Sequence, residues 1–356
     1  NIQEIYMKKI AYIEMDTHAE IALNFNELMK SSERFQVDCY FSEKILKFLN
    51  MEPSTSVFKV SPHDLFCQLE GKKYDLIIIG TAHRYFNIFL KITQHFPTAI
   101  IAHNLNFIKA SGWTLLRNVF KKDVLFRLKL LLKERLLSKN QVYENAKFLF
   151  VLDKNLVNFC PKSIHLPLFF YNEIENAENE NFTIVISGEV SQKRRDYKSI
   201  IQEIKSIKIN KNFNFVFLGK AKGEELRWLE NLHRELPKNV KIKFFKERVS
   251  TCDFNDELKK ANVLWCPIQL ETEFFSIKEI YGKTKMSGNI GDAIKYGKWA
   301  VFPKNYPAEY FFITKYQRDI DLFISKLPEN DKNQWQNFSK EKVASELEKI
   351  FLNLWS

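Results

Sequence analysis

The chain lacks several features that would place it in a familiar class of protein. No apolar run approaches the roughly 20 residues that a membrane-spanning helix needs, and no signal peptide is recognisable at the first residues. The 5 cysteines are scattered without the spacing of metal ligands, so we expect reduced thiols in a cytoplasmic protein. No P-loop occurs, and no G-x-G-x-x-G follows a strand-like run, which argues against ATP and NAD chemistry.

Length and positive charge are what the chain has in quantity. Its 356 residues exceed one ordinary domain and predict two domains of about 150 residues each. The formal net charge of +11 favours an anionic partner, which could be nucleic acid, a lipid surface or a phosphorylated small molecule.

Much of the charge lies in the segment 113–139. Leucine and aromatic residues are interleaved there with Arg117, Lys121, Lys122, Arg127, Lys129, Lys133, Arg135 and Lys139. This pattern predicts amphipathic helices that bind an anionic bilayer. The alternative is a surface helix pair that packs its leucines inward and leaves its lysines in solvent.

Strand-like apolar runs alternate with helix-length segments in both halves of the chain. The runs lie at 9–14, 35–40, 74–80, 98–103 and 147–152, and then at 182–188, 213–219, 240–245, 263–267 and 299–303. This alternation predicts parallel sheets with helices on both faces.

The acidic stretch 173–181 is the best predicted linker. We therefore expect an α/β protein of two Rossmann-like, doubly wound parallel-sheet domains, at 7–172 and 182–334, that face each other across a cleft. The terminal helix in 335–356 would join the first domain. Ligands bind such sheets at the carboxyl ends of the strands.

The segment 283–303 contains a Gly-containing loop, a helix predicted from Asp292 to Tyr296, a Gly stop and a buried strand. A loop of small residues before a helix leaves backbone N–H groups unpaired, and the helix dipole makes that point attractive to a phosphate.

Four motifs of the second half follow one another in a familiar order. They are Ile186-Ser187-Gly188 with Lys193-Arg194-Arg195, then Phe217-Leu218-Gly219, then the segment 244–263, and then Gly291 to Lys298. In these motifs the chain resembles the GT-B fold glycosyltransferases, especially the large, family-4-like bacterial family that builds surface polysaccharides such as lipopolysaccharide or capsule from nucleotide sugars.

The resemblance implies a donor site in the second domain for a UDP- or GDP-linked sugar, without a metal ion. The predicted ligands of the donor diphosphate are Gly188, Lys193, Arg194, Lys285, Ser287, Gly288 and Asn289. The predicted ligands of the nucleoside are Gly219, Glu247, Arg248 and Asp292. Basic side chains and helix amides would stabilise the departing diphosphate.

Acidic and histidine side chains follow the first strands. Asp16 and His18 come directly after the first strand and could take a proton from an acceptor hydroxyl, although Asp16 could instead cap a helix. His103 ends a buried strand and resembles the histidine that family members aim at the donor sugar. For His83, on the neighbouring strand, a structural role is the stronger expectation.

The chain also departs from the family pattern. The expected E-x(7)-E motif is missing, because Asp292 and Thr284 occupy its positions, and the pair Glu271 and Glu279 has that spacing only upstream. The usual Gly-rich loop after the first strand is replaced by Met15 to Glu20. The sequence therefore leaves open whether transfer would retain or invert the sugar configuration.

Together these features predict a cytoplasmic enzyme on the inner face of the cell membrane. It would transfer a sugar to a hydroxyl of a glycan or lipid-linked acceptor, with the first domain binding the acceptor and the segment 113–139 binding the membrane. The alternatives are a basic nucleic-acid-binding protein or a non-catalytic sugar-nucleotide-binding protein, and no nucleic-acid recognition motif occurs.

Overall fold

A computed structural model of the chain describes residues 7–173, 181–316, 319–327 and 332–356. The predicted linker 173–181 lies almost wholly outside these residues. Contacts divide the chain into two compact units. The first unit comprises Asn1–Leu168, Glu273–Met286 and Lys340–Ser356, and the second comprises Phe169–Thr272 and Ser287–Ser339. The stretch Glu273–Met286, expected in the second domain, therefore belongs to the first unit.

Within the described residues, the first unit contains a seven-stranded parallel sheet of order β3-β2-β1-β4-β5-β6-β7. Its strands are β1 Lys8–Glu14, β2 Phe35–Phe41, β3 Val57–Lys59, β4 Leu76–Ile79, β5 Thr98–Ile101, β6 Phe148–Val151 and β7 Ser163–His165. The central strands β1, β4 and β5 are rich in isoleucine, and their apolar residues are buried on both faces of the sheet.

Helices cover both faces of this sheet. They are α1 Ala19–Met29, α2 Glu43–Leu49, α3 Leu65–Leu69, α4 Phe86–His95, α5 Leu105–Lys109, α6 Gly112–Val119, α7 Val124–Leu132, α8 Lys139–Asn145 and the terminal α15 Lys340–Asn353. α15 packs on α1, where the rings of Phe25 and Phe351 lie 6.1 Å apart and Lys340 donates to Glu27 at 2.9 Å.

A short hairpin, absent from the sequence predictions, consists of β12 Glu271–Phe274 and β13 Ile277–Ile280. Both residues of its turn, Phe275 and Ser276, adopt positive φ angles. The Asn118 amide donates to both turn carbonyls, and Arg127 donates to the Ser276 hydroxyl at 2.9 Å. Tertiary contacts of the first unit thus hold a turn that its own residue types do not favour.

The second unit contains a six-stranded parallel sheet in its described part, of order β10-β9-β8-β11-β14-β15. Its strands are β8 Phe182–Ser187, β9 Phe213–Lys220, β10 Val240–Phe245, β11 Val263–Trp265, β14 Trp299–Pro303 and β15 Ile313–Tyr316. Its helices are α9 Tyr197–Lys205, α10 Gly223–Arg234, α11 Thr251–Lys260, α12 Gly288–Tyr296, α13 Ile320–Ser325 and α14 Lys332–Trp335.

Both sheets have the doubly wound strand order, so the prediction of two Rossmann-like α/β domains is confirmed. One prediction within the second unit was wrong. α12 begins at Gly288 rather than at Asp292, so Asp292 lies in its second turn and does not cap it. Among the residues described, no helix is both long and apolar enough to cross a membrane.

Candidate functional site

Glu14, the last residue of β1, has its carboxylate buried under the following loop. Its Oε1 accepts the backbone N–H groups of Met15 at 3.0 Å, Asp16 at 3.2 Å and Thr17 at 3.3 Å. Its Oε2 accepts the Thr81 hydroxyl at 2.7 Å. Burial raises the pKa of Glu14 to about 7, while these hydrogen bonds oppose the rise. Nothing in the sequence marks Glu14, because its burial is visible only in three dimensions.

The glycine that ends β4 makes room for this carboxylate. A Cβ atom on Gly80 would lie 2.7 Å from Glu14 Oε2, closer than real Cβ contacts allow. The Glu14 carboxylate therefore accepts the backbone N–H groups of the loop that follows β1. In a Gly-rich loop such N–H groups would face a ligand instead.

His18 has a left-handed backbone with φ 56° and is the N-cap residue of α1, without a side-chain capping bond. The alternative in which Asp16 caps this helix was therefore wrong. The imidazole of His18 stacks on that of His103, with ring centroids 3.9 Å apart and an angle of 5° between the planes. The backbone conformation costs a non-glycine residue about 1 kcal/mol or more, and such strain is concentrated at functional sites.

His103 and His83 complete a group of three imidazoles at the carboxyl ends of β1, β4 and β5. His103 Nε2 lies 2.8 Å from the Gly80 carbonyl oxygen. Asn104 connects His83 to Lys285, since its Nδ2 lies 3.0 Å from His83 Nε2 and its Oδ1 accepts from Lys285 Nζ at 2.6 Å. Burial holds the pKa values of His83 and His103 well below their usual range, so both rings are neutral.

Asp16 lies beside this histidine group, at the edge of a cavity of about 600 Å³. Its carboxylate accepts from Lys44 at 2.9 Å and faces Arg84 at 3.5 Å. Most of the residues that line the cavity are charged or carry a hydroxyl group, among them Ser42 and Ser61. Charged and hydroxyl groups of this kind suit a ligand that carries many hydroxyls.

In the second unit, two glycines allow the backbone at the ends of β8 and β9 to approach closely. Gly188 has φ 109°, and a Cβ atom on it would lie 2.3 Å from Arg195 Nη2. A Cβ atom on Gly219 would lie 2.1 Å from the Gly188 carbonyl oxygen. The structure thus gives Gly219, a predicted nucleoside ligand, a packing role beside Gly188.

A polar network links the end of β8 to the start of α12. Asn289 donates to the Ser187 hydroxyl at 2.6 Å, and this hydroxyl donates to Asp292 at 3.2 Å. Arg195 Nη2 donates to Asn289 Oδ1 at 3.4 Å, and Arg195 Nε is buried without a partner in the described part of the chain. Ser287, the N-cap residue of α12, makes no side-chain capping bond to the helix amides.

The structure brings Arg195, rather than Lys193 or Arg194, to this helix start. Arg194 is 64% exposed and faces Glu189 at 3.7 Å. Lys193 lines a separate cavity of about 990 Å³ that also contacts Trp265 and Tyr316. The motif with three consecutive basic residues pointed to this turn, but only the local backbone decides which of them turns inward.

The remaining predicted ligands lie in several places. Gly288 is the first residue of α12, and apart from its own helix and neighbours no described residue comes within 4 Å of the position of a Cβ there. Glu247 and Arg248 are exposed after β10, where Glu247 pairs with Lys220 at 3.0 Å. Lys285 lies in the first unit with Asn104. Glu279, of the E-x(7)-E-like pair, accepts the backbone N–H of Phe107 at 2.8 Å and so caps α5.

The segment 113–139 forms a surface with exposed apolar and basic side chains, named here the basic apolar surface. Seven of the thirteen large apolar side chains exposed in the described residues lie in this segment: Trp113, Phe120, Val124, Leu125, Phe126, Leu132 and Leu137. Leu125 is 87% exposed and Trp113 77%.

Two basic residues of the segment do not belong to that surface. Arg127 is buried and holds the hairpin turn. Lys139 is fully buried and donates to the carbonyls of Phe107 at 2.7 Å, Ile108 at 2.6 Å and Ala110 at 2.8 Å. Both were expected to be part of the membrane-binding face, and their burial corrects that expectation.

Where the structure describes the chain, no three His, Cys, Asp or Glu side chains are arranged to hold a metal ion. The sequence matches no model of a known protein family, and it matches no curated protein.

Solved structures of similar fold do exist. Sucrose-phosphate synthase from Thermosynechococcus elongatus superposes with a TM-score of 0.59 at 14% identity, over 98% of this chain and 99% of that one. The pneumococcal O-GlcNAc transferase GtfA, in complex with UDP and GlcNAc, gives 0.56 at 9% identity, over 98% and 99%. UDP-GlcNAc 2-epimerase from Neisseria meningitidis, bound to UDP-GlcNAc, gives 0.54 at 12% identity, over 98% and 100%. These similarities confirm the predicted GT-B fold.

Proposed function

We propose that the protein is a glycosyltransferase that moves a sugar from a nucleotide-sugar donor to a hydroxyl group of a glycan or lipid-linked acceptor in cell-surface polysaccharide biosynthesis. The observation that carries the proposal is the contact of Arg195 with Asn289 at the start of α12, in a chain of GT-B fold. The alternatives are sugar-nucleotide binding without catalysis and nucleic-acid binding.

In this proposal the second unit binds the donor diphosphate. A half-buried guanidinium whose Nε–H has no partner among the described residues suits an anionic group, and so does the adjacent helix start, where the N-cap residue Ser287 makes no side-chain capping bond. The diphosphate ligands are Arg195 together with Gly188, Ser287, Gly288 and Asn289. Negative charge develops on the diphosphate as it leaves, and these donors stabilise it. Asp292, Glu247 and Arg248 remain the proposed contacts of the nucleoside.

The first unit supplies the groups that meet the sugar hydroxyls. His103 donates its Nε2–H to the Gly80 carbonyl, because a carbonyl oxygen can only accept, and its Nδ1 therefore presents a lone pair. A neutral imidazole with a free lone pair can accept a hydroxyl proton. Asp16 and the adjacent cavity of about 600 Å³ are the proposed site of the acceptor, and His18 holds the His103 ring by stacking.

The basic apolar surface is the proposed contact with an anionic membrane, where a lipid-linked acceptor would be found. Leu125, Leu132 and Trp113 can enter the boundary between headgroups and acyl chains. The exposed basic residues, namely Arg117, Lys121, Lys122, Lys129, Lys133 and Arg135, complement anionic headgroups at about 1 kcal/mol each. This complementarity favours a membrane as the partner of the surface.

The test of the proposal is nucleotide binding by Arg195→Ala, with Arg194→Ala as the matched control. Loss of hydrogen bonds from a charged group costs about 1.5–3 kcal/mol, so UDP or GDP should bind to Arg195→Ala about 10- to 150-fold more weakly in calorimetry. The exposed Arg194→Ala variant should stay within about twofold. Equal nucleotide affinity in wild type and Arg195→Ala would overturn the diphosphate site.

Transfer is tested separately, with a panel of sugar nucleotides and bacterial lipid extracts as acceptors. A labelled sugar in the lipid fraction supports the proposal. Donor binding without transfer would favour the non-catalytic alternative, and conversion of UDP-GlcNAc without an acceptor would indicate an epimerase. Salt-sensitive binding of oligonucleotides, without any nucleotide-sugar binding, would favour the nucleic-acid alternative.

A further inference from the structure

The side-chain amide of Asn104 lies between two groups that can each play only one hydrogen-bonding role. Lys285 Nζ lies 2.6 Å from Asn104 Oδ1, and an ammonium group can only donate, so the amide oxygen faces the lysine. The amide NH₂ then faces His83 Nε2 at 3.0 Å. Because an amide NH₂ can only donate, His83 Nε2 must accept, and it cannot carry the hydrogen of a neutral ring.

We infer that Lys285 and Asn104 act as positioning residues that fix His83 in the neutral tautomer with its hydrogen on Nδ1, so that His83 presents a hydrogen-bond donor to a hydroxyl group of the bound sugar. The second half of this inference rests on the proposed function, whereas the tautomer itself does not. His83 thus has a role beyond packing.

The surroundings of His83 keep the ring in one state. The Phe274 ring of the hairpin packs on it, with centroids 4.3 Å apart, and limits its rotation. Asn104 is buried, so water does not compete for its amide. Lys285 is held by the backbone at the end of the same hairpin, where its N–H donates to the Ile280 carbonyl at 3.2 Å. Burial also keeps the pKa of His83 well below its usual range, so the ring stays uncharged.

The neighbouring His103 is fixed in the opposite tautomer. Its Nε2–H donates to the Gly80 carbonyl, which leaves Nδ1 as an acceptor. The two ring centroids lie 5.8 Å apart. One ring therefore offers a donor and the other an acceptor. A hydroxyl group can use both at once, whereas an ether oxygen or a methyl group cannot. The chemical class that this pair selects is a free hydroxyl of a sugar.

The substitution Asn104→Asp should reverse the tautomer of His83, because it replaces the amide donor with an acceptor. A carboxylate can only accept, so Asp at 104 would draw a hydrogen onto His83 Nε2. Asn106→Asp is the matched control, because it makes the same change only two residues further along the chain, within α5. The Asn106 side chain is partly exposed and donates to the Lys278 carbonyl at 2.9 Å, away from the histidines.

The experiment is long-range ¹H–¹⁵N correlation of histidine side chains in the ¹⁵N-labelled full chain, with His83 assigned by its absence in His83→Gln. We expect a protonated Nδ1 and an unprotonated Nε2 for His83 in the wild type and in Asn106→Asp. Asn104→Asp should show a protonated Nε2, and Lys285→Met, which releases the amide, should show a mixture of tautomers. A wild-type His83 protonated at Nε2 would overturn the inference even if no variant folds, and so would an unchanged His83 in Asn104→Asp.

Activity then tests the functional half. If the protein transfers sugar, Asn104→Asp should lose most of its turnover at unchanged UDP affinity, while Asn106→Asp keeps wild-type turnover. Wild-type turnover in an Asn104→Asp variant with the reversed tautomer would refute the role of the donor. If no transfer is found at all, the proposed function fails while the spectra still decide the tautomer.

Discussion

The substitution Glu14→Gln removes a buried group that ionises near neutral pH. The pKa of Glu14 is about 7 in the folded chain, whereas in the unfolded chain the side chain has its ordinary pKa of 4.5. Between these values the native state binds more protons, so the free energy of unfolding falls as pH rises. At about 1.36 kcal/mol per pKa unit, the fall amounts to about 3 kcal/mol and is complete above pH 7. Below about pH 4.5 Glu14 is protonated in both states, and the folded chain keeps the full amount of about 3 kcal/mol that it loses at higher pH.

Glutamine preserves the geometry without the charge. Its Oε1 can still accept the three loop amides that Glu14 accepts, and the Thr81 hydroxyl can rotate to accept from the new NH₂ group. The free energy of unfolding of Glu14→Gln should therefore lack this pH dependence. Relative to the wild type, the variant should gain about 3 kcal/mol between pH 4.5 and pH 8.

The assay is native-state hydrogen exchange, read by mass spectrometry on peptides from β1 and β4. It reports the opening of the first unit alone, and comparing variants at the same pH cancels the intrinsic exchange rates. Glu33→Gln, at an exposed glutamate, is the control and should follow the wild type at every pH. If the wild type and Glu14→Gln show the same pH dependence between 4.5 and 8, the buried ionisation described here is refuted.

Three further predictions concern stability and membrane binding. Lys139→Met should lower the free energy of unfolding, measured by urea denaturation, by about 3 kcal/mol, because three carbonyl groups lose a charged donor. The control Lys133→Met, at an exposed lysine, should change it by less than about 0.5 kcal/mol. Gly291→Ala should lower the free energy of unfolding by about 1–3 kcal/mol, because its Cβ would lie 2.5 Å from the Phe169 ring. Gly288→Ala is the control, and it should leave stability unchanged or slightly raised, because its Cβ would meet no other described part of the chain. Leu125→Ser should weaken co-sedimentation with phosphatidylserine vesicles at least about tenfold. Unchanged binding, or equal wild-type binding to neutral vesicles, would count against the membrane contact.

The sequence predicted the central strands of both sheets well. A continuous β-branched run such as that at 74–80 marks a strand buried on both faces, and β4 lies within it. The short strands β3, β7 and β15 were not predicted, because polar residues interrupt their sequences and leave no continuous apolar run. The hairpin was missed for another reason. Phe275 and Ser276 are not turn residues by type, and only contacts with Asn118 and Arg127 hold them there.

The candidate sites were predicted to a coarser level than the fold. The motif with Lys193, Arg194 and Arg195 located the correct turn, but the direction of each side chain depends on backbone angles that the motif does not determine. The start of α12 was placed too late because glycines lower helix propensity, which the packing of Gly291 on Phe169 overrides. Glu14 gave no signal, since a single glutamate at the end of a strand is most often exposed.

The first unit is assembled from three separate stretches of the chain, and this limits how the protein can be dissected. A fragment that ends at Leu168 would lack the Glu279 carboxylate that caps α5, and it would lack Phe351, against which Phe25 packs. Such a truncation would leave buried backbone amides without an acceptor and would expose apolar surface to solvent. Attempts to obtain the N-terminal half alone for crystallisation or ligand screening should therefore retain the hairpin and the last helix, for instance by linking these distant pieces in a redesigned gene.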